Sequence, residues 1–258
     1  MLFRSIAAAV LAGLLLPLAA AGAAPFPTPA FIEAAIADPT RPQADRDKDE
    51  SRHPGELLAF AGVKPGDVVV DVWPGSGYWT RLYSRIVGPK GHVIALVFQE
   101  TAGFKNDPVA LARAVAAEPG QGNVEVVVAA LAAEHPPRDS VDIVWTFENY
   151  HDLYNASFMQ GADVGAFDRA IFNALKPGGA FVIGDHAAAA GSGRKNTDDL
   201  HRIDPAVVVA DEQTAGFRLG ARSEVLANPA DPHTAKVFDP AIRGATDRFL
   251  LRFVKPGP

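Results

Sequence analysis

Two histidine–aspartate pairs stand out in a 258-residue chain that has no cysteine: His151-Asp152 and Asp185-His186. Each follows an apolar run that reads as a buried strand, VDIVWT at 141–146 and AFVIG at 180–184. Imidazole titrates near pH 6.5 when unperturbed. Either histidine is therefore suited to take a proton from a nucleophile, with a carboxylate orienting the ring. His151, Asp152, Asp185 and His186 are the catalytic candidates. Joined by His201 of the segment LHRID, the same side chains also offer nitrogen and oxygen ligands to a divalent ion. Without sulfur ligands that spacing is not diagnostic, and no metal ligand is assigned. A His–Asp pair at a strand end also serves simply to cap a helix or fix a loop.

For these side chains to meet, their strands must end at one edge. The apolar pattern predicts strands at Val68–Val72, His92–Phe98, Val124–Val128, Val141–Thr146 and Ala180–Gly184. A helix is expected before them, at Glu56–Gly62, and others between them, at Tyr78–Val87, Pro108–Ala117 and Val164–Leu175. Strands this uniformly apolar, alternating with helices, imply a doubly wound α/β fold with a mostly parallel sheet covered on both faces. A helix at Pro205–Ala215 and two late strands, Phe217–Leu226 and Thr246–Val254, follow a loop at 187–197.

The first strand runs into DVWPGSG, residues 71–77. Glycines at 75 and 77 let backbone approach a ligand ahead of a helix N-terminus, which favours anionic or polar groups. Asp71, at the strand's carboxyl end, can receive an ammonium. Ligands of open α/β sheets bind at such ends. A dinucleotide site is disfavoured because its fingerprint needs a third small residue where Thr80 stands.

With LKPGGAFVIGD at 175–185, this turn resembles the two ends of a class I S-adenosylmethionine-dependent methyltransferase fold. The resemblance covers about residues 54–254. It implies a Rossmann-like, seven-stranded sheet with an antiparallel C-terminal end. It also implies S-adenosylmethionine as cofactor, held by Asp71, Trp73, Gly75, Gly77 and Glu100. The implied reaction is methyl transfer to an oxygen or nitrogen of a small-molecule substrate. The segments YHDL, DH and HRID are similar to those of a group of exported predicted methyltransferases.

The chain departs from the family pattern in three places. Trp73 stands at the first glycine position. The acid that grips the ribose after the second strand is missing at Val97 or Phe98, and Glu100 is the nearest carboxylate. After the third strand, Ala129 and Ala130 stand where a polar adenine contact is common, with Glu134 the first polar group beyond. Tyr78 and Trp79 are expected in the core or the pocket wall. Asp49 and Arg52 are expected in a surface ion pair, with reach to the cofactor's amino-acid end as the alternative. His233 lies in a Pro-bearing loop that reads equally as a lid or as disordered.

Net charge is −6 and no basic block occurs, which argues against a nucleic-acid partner held through phosphates. Residues 1–23 read as a signal peptide, with Arg4, an Ala/Leu run and Ala21-Gly22-Ala23 as a small-residue cleavage site. That reading implies export, to a bacterial periplasm, with no stable membrane insertion after removal. Residues 24–53 are expected to be a Pro-rich linker with a short helix at Phe31–Ala37. The charge run at 41–52 should be solvated, and 54–258 should form the main domain. Two alternatives stay open: a catalytically lapsed periplasmic binding module of this fold, favoured by Trp73 and Val97, and a metal-binding protein using the His/Asp cluster.

Overall fold

Val70 and Val72 point to one face of the first strand and Val69 to the other, and each joins a different apolar cluster. This alternation follows from the two-residue repeat of an extended chain and makes the sheet the centre of two cores. The computed structural model describes residues 27–134 and 136–257. The expected signal segment, 1–23, lies outside the described residues.

The strands are β1 (Val68–Val72), β2 (His92–Phe98), β3 (Val124–Ala129), β4 (Val141–Phe147), β5 (Leu175–His186), β6 (Arg218–Ser223) and β7 (Arg248–Val254). They form one seven-stranded sheet in the order β3-β2-β1-β4-β5-β7-β6. β1 to β5 pair in parallel, and β7 runs antiparallel to both β5 and β6. The sequence order reverses between β1 and β4, so the carboxyl ends of these two strands flank the crevice where such sheets bind ligands.

The helices are α1 (Ala30–Ile36), α2 (Gln43–Arg46), α3 (Asp49–Arg52), α4 (Pro54–Ala61), α5 (Tyr78–Val87), α6 (Pro108–Ala116), α7 (Val164–Ala174) and α8 (Pro205–Ala215). Residues of α1, α4 and α5 pack with Val69, Val93, Ile143, Trp145 and Val182 on one face. Residues of α7 and α8 pack with Val70, Val72, Leu96, Val144 and Phe181 on the other. Trp145 has no exposed surface and stacks parallel to Phe147, with Trp79 against both rings. Truncating such a ring to Ala costs about 3–5 kcal/mol. Among the described residues, no helix is long and apolar enough to cross a membrane.

Two expectations are corrected. The charge run at 41–52 is folded into α2 and α3, and Arg41 and Asp45 are buried. Arg41 donates to both carboxylate oxygens of Asp49, at 2.8 and 2.7 Å. Asp45 accepts from Arg81 of α5 at 2.9 Å. Each buried charge thus has an opposite partner, as desolvation demands. Secondly, the Pro-Gly-Gly segment is not a free turn before a short strand. β5 begins at Leu175, opposite Val141, and bulges before Ala180 pairs with Ile143. The bulge is pinned by Gly178, whose N–H donates to the Lys255 carbonyl at 2.9 Å.

Candidate active site

The carboxyl ends of β1 and β4 open onto a cavity of about 280 Å³. Its wall includes Asp71, Trp73, Gly75, Tyr78, Arg52 and Phe104, and on the β4 side Glu148, Asn149 and Asp152. Asn149 ties the two strand ends together: its Nδ2 donates to the carbonyls of Val72 and Trp73 at 3.3 and 3.1 Å. Thr146 Oγ1 donates to Asn149 Oδ1 and fixes the amide.

Asp71 is 2 % exposed. Its Oδ2 accepts from Thr80 Oγ1 at 2.6 Å. Burial pushes its carboxyl up to about 7, against the opposing effects of Thr80 and Arg52. A carboxyl in that condition gains from a cation brought into the cavity.

The two glycines differ. A Cβ on Gly75 would meet only open space, although its φ of +57° disfavours any other residue. A Cβ on Gly77 would lie 2.5 Å from Val115 Cγ2. Gly77 therefore allows the start of α5 to pack on α6. It does not line the cavity, which corrects the expectation that it touches a cofactor.

Trp73 keeps the backbone that a glycine would give, with φ of +54°, which is strained for a bulky residue. Its indole packs edge-on against Phe98 and Phe158 and tilted against Phe104, with centroids 5.9 to 6.1 Å apart. This aromatic group covers the side of the cavity that faces the end of β2. Glu100 does not reach it. Its carboxylate accepts from the Leu131 N–H at 3.0 and 3.2 Å, so it joins the ends of β2 and β3 and corrects its expected place in the cofactor site.

The His/Asp candidates do converge, but into a buried network. His151 and Asp152 lie in a short 3₁₀ turn after β4, and Asp185 ends β5. His151 Nδ1 lies 2.8 Å from Asp185 Oδ1, and the His151 N–H donates to Asp185 Oδ2 at 2.7 Å. His151 Nε2 lies 3.2 Å from Asp152 Oδ1. Burial lowers the His151 pKa, but Asp185 and Asp152 overcome it and bring it up to about 10. Burial also raises Asp152, and bonds from His151 and His201 hold it at about 2. With no ion bound, the two carboxylates therefore favour the charged ring, and His151, 2 % exposed, does not line the cavity. Of the four catalytic candidates, only Asp152 lines the cavity.

His186 belongs to a second cavity of about 270 Å³, which shares Arg52 and Glu148 with the first. Its Nδ1 lies 2.9 Å from Thr246 Oγ1. Burial brings its pKa down to about 4, so the ring is neutral at pH 7. Lys48, Arg52, Arg243 and Arg248 line this second cavity, with Glu148 as the only carboxylate among the described residues. Glu148 has φ of +60°. It accepts from Arg248 Nη1 at 2.8 Å and lies 3.5 Å from Arg52 Nη2. Burial raises the Glu148 carboxyl, and the charges of Arg52 and Arg248 contribute to holding it below its ordinary value.

Arg52 pairs with Glu148 and not with Asp49. Its guanidinium lies 4.5 Å from the Tyr78 ring centroid and forms part of both cavity walls. Asp49 instead pairs with Arg41 and accepts from the Tyr78 hydroxyl at 2.6 Å. His233 is held by Asp247 at 2.8 Å. Sequence reasoning missed Lys48, Arg243 and Arg248 as wall residues. The one signal for Arg248 was a charge opening the apolar run RFLLRF.

No family model matches the chain. Among solved structures, a SAM-dependent methyltransferase from Aquifex aeolicus superposes with a TM-score of 0.57 at 21 % identity, covering 83 % of this chain and 97 % of that one. The chain has the class I methyltransferase fold. The methyltransferase fold also hosts the [4+2]-cyclase SpnF, which superposes with a TM-score of 0.55 at 18 % identity over 83 % of this chain and 82 % of its own. In sequence, the chain is similar to the ubiquinone/menaquinone biosynthesis C-methyltransferase UbiE of Vibrio cholerae. The two are 34 % identical over 126 residues, 48 % of this chain and 42 % of the relative. The ribosomal RNA large subunit methyltransferase E of Marinobacter nauticus is 35 % identical over 69 residues, 25 % of this chain and 33 % of that protein. The chain thus spans less than half the length of these curated methyltransferases.

Proposed function

We propose that the chain is an S-adenosylmethionine-dependent methyltransferase. In this reading it acts on an oxygen or nitrogen of a small acidic molecule, after export and removal of residues 1–23. The observation that carries the proposal is the buried Asp71 carboxyl beside the Gly75 turn, at the strand switch of a methyltransferase fold. When bound, S-adenosylmethionine supplies a methyl group on a positively charged sulfur.

The residues fit the amino-acid end of that cofactor. Asp71 offers a carboxyl that lacks a close cationic partner, and Gly75 leaves room for close backbone approach. Among the described residues no carboxylate lines the nucleoside end, and the Trp73–Phe98–Phe104–Phe158 group offers aromatic faces for stacking instead.

The second cavity supports the substrate class. Four cationic side chains line it against one carboxylate, in a chain whose net charge is −6. Such a local reversal of sign attracts an anion. Its position next to the first cavity suits in-line approach of a nucleophile. Neutral His186 is the residue best placed to take the nucleophile's proton, since no protein group bonds its Nε2 among the described residues. His151, Asp152 and Asp185 hold the loop after β4 in place.

A second reading keeps the fold without the transfer, as a binding module. It is favoured by the Trp73 indole, which lies where the family's first glycine leaves space. Calorimetric titration with S-adenosylhomocysteine, competed by S-adenosylmethionine, separates the two. Saturable, competed binding is expected. No binding at millimolar ligand leaves only the second reading.

A further inference from the structure

His151 Nε2, His201 Nδ1 and Asp152 Oδ1 form a nearly equilateral triangle with sides of 3.2, 3.2 and 3.3 Å. We propose that this triangle is the protein's face of a tetrahedral divalent-metal site, of the zinc type.

Bonds of about 2.0–2.2 Å in a tetrahedron set ligand atoms about 3.3–3.6 Å apart. The observed triangle needs almost no adjustment to meet that spacing. Two imidazoles and a carboxylate form a donor set suited to zinc and its first-row neighbours rather than to magnesium or calcium.

Three further observations point the same way. Asp152 Oδ1 is buried and meets no donor in good hydrogen-bond geometry; its neighbours are the two imidazole nitrogens, at 3.2 and 3.3 Å. Asp185 binds the far nitrogen of His151 at 2.8 Å, which turns Nε2 toward the triangle, where a divalent ion would take the place of its proton. A carboxylate behind a ligating histidine is the usual device for orienting the ring. His201 holds φ of +55°, strain of a kind that gathers at functional sites. Its ring is packed against Phe238, with centroids 4.8 Å apart.

Three protein ligands leave a tetrahedral ion one open position. Asp152 also lines the first cavity, which places the proposed site next to it. An oxygen taken at the open position is polarised and more easily deprotonated. This last step rests on the methyl-transfer reading and selects oxygen over nitrogen, whereas ion binding itself does not depend on that reading.

The test is calorimetric titration of the metal-stripped full chain with zinc chloride, in the absence of any nucleoside, alongside thermal melts. One equivalent should bind and raise the melting temperature. His201→Ala and Asp152→Asn should each weaken binding by at least about tenfold, with circular dichroism confirming that both variants fold. His233→Ala, which removes only the contact with Asp247, should bind as the parent does. Absence of saturable binding overturns the proposal, and so does an affinity unchanged in both ligand variants.

Discussion

The carboxylate of Asp185 holds His151 twice, through the ring Nδ1 at 2.8 Å and through the backbone N–H at 2.7 Å. One side chain at the end of β5 thereby fixes both the turn after β4 and the charge of its histidine. Asp185→Asn keeps the shape and removes the charge. Burial alone lowers the His151 pKa, so this variant should bring it down from about 10 by more than one unit, read by NMR titration. A histidine whose folded pKa is raised above 6.5 contributes stability that is fully present below pH 6.5 and lost as pH rises through about 10. Urea unfolding should show that loss in the parent and a flatter profile in Asp185→Asn. A parallel decline in both would remove His151 as its source.

Trp73→Gly restores the family's glycine. The account assigns the indole as a stacking face, so S-adenosylhomocysteine affinity should fall by about tenfold. Trp73→Phe should lose less. Tighter binding by the glycine variant would mean that the indole obstructs the site and would favour the binding-module reading.

Arg202 and Asp231 form an ion pair at 2.9 Å with both side chains fully buried. Arg202 also donates to the carbonyls of Ala187 and Ala235, at 2.9 and 3.0 Å. The pair fastens the loop before β7 to the segment after β5. Asp231→Ala leaves a buried guanidinium without its anion and should cost about 3–5 kcal/mol by urea unfolding. An exposed pair would cost less than about 1 kcal/mol, and a loss that small would refute the assigned role.

Asp168 of α7 and Glu212 of α8 lie buried together, and burial raises both carboxyl pKa values. An acid whose folded pKa is raised keeps its proton in the native state. Stability is then greatest at low pH and falls as pH rises above the ordinary carboxyl range. Glu212→Gln should flatten the decline in melting temperature between pH 5 and pH 8, values chosen roughly to bracket the shifted range. An unchanged slope would remove this pair as its cause.

Much of the fold was legible because buried strands are uniformly apolar. β1, α5 and β2 fall at the residues expected from the sequence. The pairing of Arg41 with Asp49, and of Asp45 with Arg81, was not legible. A charge run looks solvated until its partners are known, and one of them lies in a distant helix. Gly77 and Glu100 illustrate the same limit at the site. Their positions match a motif, but Val115 and Leu131 determine what they do. The meeting of His151, Asp152 and Asp185 followed from the rule that strand ends share an edge. The raised pKa of His151 did not, because burial opposes it and it depends on how closely Asp185 and Asp152 approach the ring.

A crystal structure grown with S-adenosylhomocysteine decides whether the turn after β1 holds the cofactor. The ligand's amino group should face Asp71, its backbone contact should be at Gly75 and its base should lie against the Trp73 indole. A cavity left to the indole, with the ligand absent or bound elsewhere, would contradict that placement.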